Sequence, residues 1–557
     1  MLSIKFMKII NKYLNVIYIL IILFLSALLT LPYFHSGYFP THDGLWAVVR
    51  TSEMYRELKD LQIPPRMSEF LNFGYGYPLF NFDYPFPYYL AFIFHIFRLS
   101  FINSTKLVFA ITVPISMIFM YLSIKEQFKN KTAALISSIM YGFYPYRLVD
   151  LYVRGSIGES LGFAIFPILF YLSLKIKNNS KNKIYSLLFG FSLACLILSH
   201  NIMAVLFAPI IFIICAIFYF EKRNKSILFS YILGFLFALG FAFYFFVPAL
   251  FEKNLIRLSI IPIANRNLYY ATLKQLVIPS WGYGIPGDKN SFSYQIGFVQ
   301  LLVFLIGIFI VIFNFFKKKR NNLIIFAVIY SLFIIFLQFK YSSFFWVHTP
   351  LFREINYPWT YLAPLGFLLS LITGFVFVSS NKIFKIIVSL LSLILIIYYL
   401  PFAKPQKYIS LPDSYYFTNS ATTTSSSEVM PLWVKQLPFQ MPDEKALVLN
   451  NKGTMSNLLY DSKKISFTVD ISSNEAVVRI NQIYYPGWVI YLDNKVTNIS
   501  YNNLHGVMDI KINKGIHFVN AKFEETSLRL FADMITVITF LGAILVIFLD
   551  FKKNKKS

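Results

Sequence analysis

Apolar residues dominate runs at 14–31, 107–122, 133–143, 161–174, 184–198, 202–220, 227–247, 296–316, 323–339, 361–378, 386–400 and 530–549. Crossing a hydrocarbon layer of about 30 Å takes roughly 17 to 25 apolar residues, fewer where Tyr, Ser and Pro share the interface. The pattern predicts a polytopic all-α membrane body of about twelve spans, with 133–143 the shortest. Three polar-rich stretches between runs, 32–83, 248–294 and 401–527, are too long to be connectors, and long segments of that kind usually carry function.

The third stretch changes period. After a Ser/Thr-rich segment at 419–428, it alternates as strands do at 464–470, 476–485, 488–492, 507–512 and 516–523. Pro486-Gly487, Asp493-Asn494-Lys495 and Asn513-Lys514-Gly515 read as turns between them. A C-terminal extracytoplasmic β-sandwich is the expected form. The domains predicted are therefore 1–400, a membrane body with a large first outer loop; 401–527, β-rich; and 528–557, a last span with a basic tail.

Charge fixes the expected orientation. Lys5, Lys8 and Lys12 precede the first run as in a secretory signal peptide, but no A-x-A-like cleavage site follows, so the run is expected to remain as a span. Every second loop is then basic, with clusters at Lys125 to Lys131, Lys175 to Lys183, Lys222 to Lys225, Lys317 to Arg320, Lys382 and Lys385, and Lys552 to Lys556. Basic loops stay cytoplasmic, which puts both termini in the cytoplasm of a multi-pass protein of the cytoplasmic membrane. Residues 84–97 are apolar as well, but if they crossed, the later basic clusters up to the tail would change sides. They are expected to lie along the outer surface or to re-enter.

Composition narrows the class. Hydrophobic residues make up 57% and charged residues 14%, against roughly 45 to 50% and about 25% in soluble domains, which excludes a soluble enzyme and a disordered chain. The 23 glycines show no fixed period, which excludes collagen-like and repeat scaffolds. The 51 basic and 26 acidic side chains give a net charge of +25, which the loops facing an anionic leaflet account for. No basic face on a folded domain suggests nucleic acid as a partner. Cys195 and Cys215 both lie in apolar runs and read as small buried hydrophobes.

The chemistry gathers in the outer stretches. Asp43, in YFPTHDGLWAVVR, precedes a helical pattern and is either its N-cap or a base at the membrane surface, where an apolar boundary raises a carboxyl towards neutral. His42 would orient it, or share a divalent cation with it and a third oxygen ligand. Tyr75 and Tyr77, in an aromatic stretch broken by glycines and prolines, suit a groove for a sugar ring or an isoprenoid chain, or an interfacial anchor. In FYPYRLVDLYVRGSIGES, Asp150 and Arg154 stand four apart as a helix pair would, and Glu159 enters a span, where an acid either serves a site, as a costly acid at membrane depth usually does, or pairs with an arginine for structure. His200 and Asn201 occupy a tight outer turn, and His348, Arg353 and Glu354 another. Arg147, Arg154 and Arg353 are suited to hold a phosphate bidentately. A transporter would carry its ionisable groups near the midplane, so this distribution favours an enzyme at the outer surface.

These residues resemble those of the GT-C superfamily of lipid-sugar-dependent glycosyltransferases: many spans, an acid just after the first (Asp43), and an outer C-terminal domain. HDGLWAVVR, FGYGYPLFNFDYPFPYYLA, PYRLVDLYVRGSIGE, LSHN, PLFREINYPWTYLA, YYPGWVIYLDNK and GIHFVNAKF further resemble a bacterial group of large membrane proteins of the YfhO type, sometimes labelled 6-pyruvoyl-tetrahydropterin synthase-related. The His cluster of a zinc pterin synthase is not present in the sequence. The resemblance implies a polyprenyl-phosphate-linked sugar donor, a glycan, lipid or protein acceptor, transfer on the outer face with inversion, Asp43 as base and Glu159 as second acid. The alternative is a non-catalytic envelope assembly or flipping factor that binds lipid-linked sugars in the same groove.

Overall fold

The computed structural model describes residues 2–261, 265–286, 291–349, 352, 355–424 and 426–554. Helices stand at all of the predicted apolar runs: α1 (Leu2–Thr30), then, after α2 (Gly44–Lys59), α3 (Leu79–Phe82) and α4 (Phe86–Ile96), α5 (Phe101–Phe128) and α6 (Lys131–Gly142). The short α7 (Pro145–Val149) leads to α8 (Ile157–Asn178), α9 (Lys183–Ser199), α10 (Asn201–Lys222) and α11 (Lys225–Glu252). Beyond α12 (Leu273–Val277) come α13 (Phe298–Phe316), α14 (Asn322–Leu337), α15 (Ser343–His348), α16 (Leu362–Ser379), α17 (Lys382–Tyr399), the short α18 (Asp413–Phe417) and the last helix, α19 (Ser527–Asn554). The chain is a multi-pass membrane protein with a C-terminal sheet.

Among the described residues, nine helices are long and apolar enough to cross a membrane, or ten if the pair bent by 99° around residue 338 counts as one. The expected number was about twelve. The shortfall lies in α6, with 12 residues, and α9, with 17. At 1.5 Å per residue, α6 covers little more than half of the layer. The eleven-residue α4 is likewise too short to span, and it packs against α2 and α5.

The basic loops make good helix starts. Asn130, Asn182, Asn224, Asn321 and Asn381 each accept a backbone N–H from the first turn of α6, α9, α11, α14 and α17, at 2.8 to 3.2 Å. Asn is among the strongest N-caps, which fits its place at these helix starts.

The C-terminal strands are β1 (Ala446–Val448), β2 (Gly453–Asp461), β3 (Lys464–Ile483), β4 (Trp488–Leu492), β5 (Lys495–Thr497) and β6 (Val507–Phe523). They form one antiparallel sheet in the order β1-β3-β6-β4-β5, with β2 also on β3, where a two-sheet sandwich was expected. Two of the predicted breaks are bulges inside long strands. Between Ile471 and Glu475 the register of β3 shifts against β6, and there Asn513 to Gly515 pair across rather than turn. Polar residues on both sides of a bulge look like loops in sequence, while the bulge only bends the strand. Asp493-Asn494 does turn, with φ of 49° and 66°.

The long non-spanning stretches interlock. Tyr38 pairs with Ile409, Phe73 donates to the Ser420 carbonyl, and Ile256 pairs with Pro431. Where the sheet meets the helices, the buried Glu252 carboxylate accepts two bonds from Arg529 (2.9 and 2.7 Å), one from Tyr485 (2.8 Å) and one from Asn81 (2.8 Å). One acid thereby joins α11, α19, the sheet domain and α3. Buried Arg66 adds a second clamp on the last helix through Glu525, at 3.2 Å, and Asp533, at 2.8 Å.

Candidate functional site

A cavity of about 1650 Å³ opens between the sheet end of the helices and α9 to α11. Leu193, Ile197, Val205, Ile211, Phe235 and Leu239 give it an apolar wall, while Asp43, Arg50, Asp83, His200, Lys253 and Arg266 give it a polar end.

Asp43 reaches the cavity because two loops zip together. The backbone N–H groups of His42 and Asp43 donate to the carbonyls of Val153 and Arg154, at 3.0 and 2.8 Å. The turn before α8 is a wide one, closed by the Gly155 N–H on the Asp150 carbonyl at 2.7 Å, a geometry frequent at functional sites. Gly155 has φ +65°, and a Cβ there would lie 2.0 Å from Thr41 Oγ1. Only glycine lets the loops approach this closely.

Asp43 stands at the N-cap of α2, yet its side chain makes no capping bond. Thr41 Oγ1 takes the Gly44 N–H instead, at 2.9 Å. The Asp43 carboxylate is 36% exposed and lies 3.3 Å from Arg154 Nη2. The same nitrogen lies 3.2 Å from Glu159 Oε1, and the guanidinium sits 4.6 Å over the Trp359 ring. Glu159 itself is buried, accepts from Tyr146 Oη at 2.6 Å, and does not line the cavity. It holds Arg154 from behind.

Arg147 and Asp150 are buried and do not line the cavity. Arg147 donates to the Ser160 carbonyl (3.1 Å) and Thr112 Oγ1 (2.8 Å) and lies over Phe163. Asp150 accepts from Ser160 Oγ, so it is not the ion-pair partner of Arg154 that the four-residue spacing suggested. Burial and then Glu159 push its carboxyl well above the usual range. Competing acids at Asp43 and Glu159 explain why Arg154 pairs elsewhere.

His200 and Asn201 line the cavity. His200 Nδ1 accepts the Met203 N–H at 3.3 Å, which leaves Nε2 on the side of Glu159, 4.0 Å away, and its ring stacks on Tyr84. Asn201 Nδ2 donates to the Phe82 carbonyl at 3.4 Å. His42 turns Nε2 to the Gly284 carbonyl at 3.2 Å; burial, then Arg154, lowers its pKa. Among the described residues no three His, Cys, Asp or Glu side chains gather as a metal site. Tyr75 lies against His505 of the sheet domain, and Tyr77 is buried with its hydroxyl 3.0 Å from Thr423 Oγ1, so neither lines the cavity. Arg353 lies outside the described residues.

The sequence reading missed five charged residues of this cavity: Arg50, Asp83, Lys253, Arg266 and Glu428. The available signal was FNFDYPFPYY, a charge inside an aromatic stretch, where burial makes an acid costly unless it is paired. Burial raises the Asp83 carboxyl to about 6 against the opposing pull of Arg50.

No protein-family model matches the chain. It is 22% identical over 614 residues to an uncharacterized protein of Lactococcus lactis subsp. cremoris (strain MG1363), covering 98% of this chain and 97% of that protein. Among solved structures it is similar to the oligosaccharyltransferase of Archaeoglobus fulgidus in the apo form (TM-score 0.40, 13% identity, 74% of this chain and 57% of that one). A second similar structure is the archaeal oligosaccharyltransferase AglB from the same organism in complex with an inhibitory peptide and a dolichol-phosphate (TM-score 0.42, 15% identity, 74% and 56%). The chain aligns with little more than half the length of those solved proteins.

Proposed function

We propose that the cavity is the active site of a membrane glycosyltransferase that moves a sugar from a polyprenyl-phosphate carrier to a cell-envelope glycan, lipid or protein acceptor on the outer face. The observation that carries this reading is Asp43: a carboxylate released from helix capping, held by Arg154, at the polar end of a large cavity with an apolar wall. That division matches an amphiphilic donor. The wall from α9 to α11 suits an isoprenoid chain, and the positive charges on the cavity of Lys253 and of Arg266, whose guanidinium is fixed by the Ile355, Phe352 and Trp346 carbonyls, suit its phosphate.

In this reading Asp43 takes the proton of the acceptor group as that group attacks the anomeric carbon. The bond from the anomeric carbon to the phosphate oxygen breaks, its electron pair leaves with the polyprenyl phosphate, and the configuration inverts. Cations fixed beside the departing phosphate stabilise charge that grows only in the transition state. Glu159 acts through Arg154 and not as a second acid on the substrate. The membrane body 1–400, the outer β-rich segment 401–527 and the last helix with its tail, 528–557, belong to the same proposal, as do cytoplasmic termini.

A cryo-EM map of the protein in nanodiscs with undecaprenyl phosphate tests it. Phosphate density beside Lys253 or Arg266, with the chain along α9 to α11, is the expected result. Carrier density elsewhere, with the cavity filled by ordinary lipid or closed, contradicts the reading.

A further inference from the structure

Asp83 is a second carboxylate of the cavity, and the mechanism above gives it no work. Its Oδ2 lies 2.5 Å from Arg50 Nη1, and its side chain is 12% exposed. Arg50 is itself fixed by Tyr88 Oη at 3.2 Å, by Thr423 Oγ1 at 3.1 Å and by the Thr423 carbonyl. The carboxylate therefore keeps one orientation whether or not a ligand is present. A carboxylate offers about four lone-pair sites, and Arg50 together with the Tyr84 N–H does not use them all.

Its surroundings are aromatic. Trp46, Phe82, Tyr84 and Tyr88 line the same cavity, as does Glu428. Tyr84 lies nearly parallel to Tyr88, at 6.2 Å and 9°, and stacks on His200, at 5.0 Å and 27°. A pyranose ring has C–H faces that rest on aromatic rings and an edge of hydroxyl donors. A fixed acceptor-only group beside such rings complements both features. A metal ion is a poorer match, because Arg50 already neutralises the acid. Structure alone is a poor explanation too, since a buried ion pair is weak evidence for stability and this one faces the cavity.

We infer that Asp83, clamped by Arg50, accepts hydrogen bonds from the hydroxyl groups of the carrier-linked sugar, an inference that rests on the donor reading above. The carboxyl of Asp83, at about 6 through burial, is ionised at neutral pH and so remains an acceptor.

The test is binding of undecaprenyl phosphate, bare or carrying glucose, galactose or mannose, to the full chain in nanodiscs. At least one sugar should tighten wild-type binding about tenfold, the scale of a hydrogen bond to a charged group. Asp83→Asn should remove that gain and leave the bare carrier within about twofold. If Asp83→Asn also loses the bare carrier, Tyr84→Leu decides, since it should reduce the sugar gain while the bare carrier still binds. A gain retained in Asp83→Asn or undiminished in Tyr84→Leu, or no gain in wild type while the bare carrier binds, overturns the inference and leaves the carrier reading standing. Failure of every carrier to bind overturns the donor reading itself.

Discussion

Arg154 Nη2 lies 3.3 Å from Asp43 Oδ2, and buried Glu159 holds the same nitrogen at 3.2 Å. The arrangement makes Arg154 a fixed counter-charge and Glu159 its anchor. Glu159→Gln keeps the shape and weakens the anchor. Transfer is expected to fall about 10- to 100-fold, the range of losses seen when an orienting partner is removed, with donor affinity unchanged. Parallel loss of donor binding would instead mean that Glu159 touches the substrate.

Gly155→Ala probes the loop contact beneath the pair. A Cβ there would lie 2.0 Å from Thr41 Oγ1 and 3.0 Å from the Gly44 nitrogen, at a φ of +65°. The substitution should cost about 1–3 kcal/mol of strain and abolish most transfer by separating Asp43 from Arg154. Thermal midpoint and transfer rate read the two effects separately; unchanged values for both would show that the loops do not need this approach.

Rising pH should loosen the stretch 32–83. Burial, opposed by Arg56 and reinforced by Glu69 and Asp60, raises the Glu53 carboxyl on α2 from 4.5 to about 8. The folded chain holds a proton that the unfolded chain releases, so this stability is fully present below the unfolded value and is lost as pH rises through the folded one. The midpoint of unfolding should fall between about pH 5 and pH 8, and Glu53→Gln should flatten that fall. An equally steep profile in the variant would assign the pH dependence elsewhere.

The Glu252–Arg529 pair predicts an asymmetry. Arg529→Met leaves a buried acid with only Tyr485 and Asn81 as partners and should destabilise by about 3–5 kcal/mol. Glu252→Leu combined with Arg529→Met removes both charges and should recover most of that loss. Thermal midpoints of the single and double variants in detergent check this; a double variant as unstable as the single one refutes it.

Much of the fold was readable because lipid and water impose different periods on the chain. Apolar runs marked the spanning helices, whereas the Asn caps that start several of them emerge only from the structure. The strand breaks at 472–474 and 513–515 were not readable, since a solvent-facing bulge and a turn use the same polar residues. His200 and Asn201 were legible as cavity residues because they sit between two runs, and Asp43 because it is an acid in the polar stretch that follows the first run. The inward turn of Arg147, Asp150 and Glu159 was not, because it depends on contacts with Thr112, Ser160 and Tyr146 that local spacing does not encode. Asp83 was not legible either, because its partner Arg50 lies 33 positions earlier in the chain.

The central claim is that Asp43 drives sugar transfer inside this cavity. Purified protein in nanodiscs should release undecaprenyl phosphate from an undecaprenyl-phosphate sugar when supplied with membrane-extract acceptors. Asp43→Asn should reduce that release by about 10²- to 10⁴-fold, the scale of a lost general base, and bind the donor as wild type does. Equal release by Asp43→Asn and wild type, or donor binding without release by either, would contradict the claim.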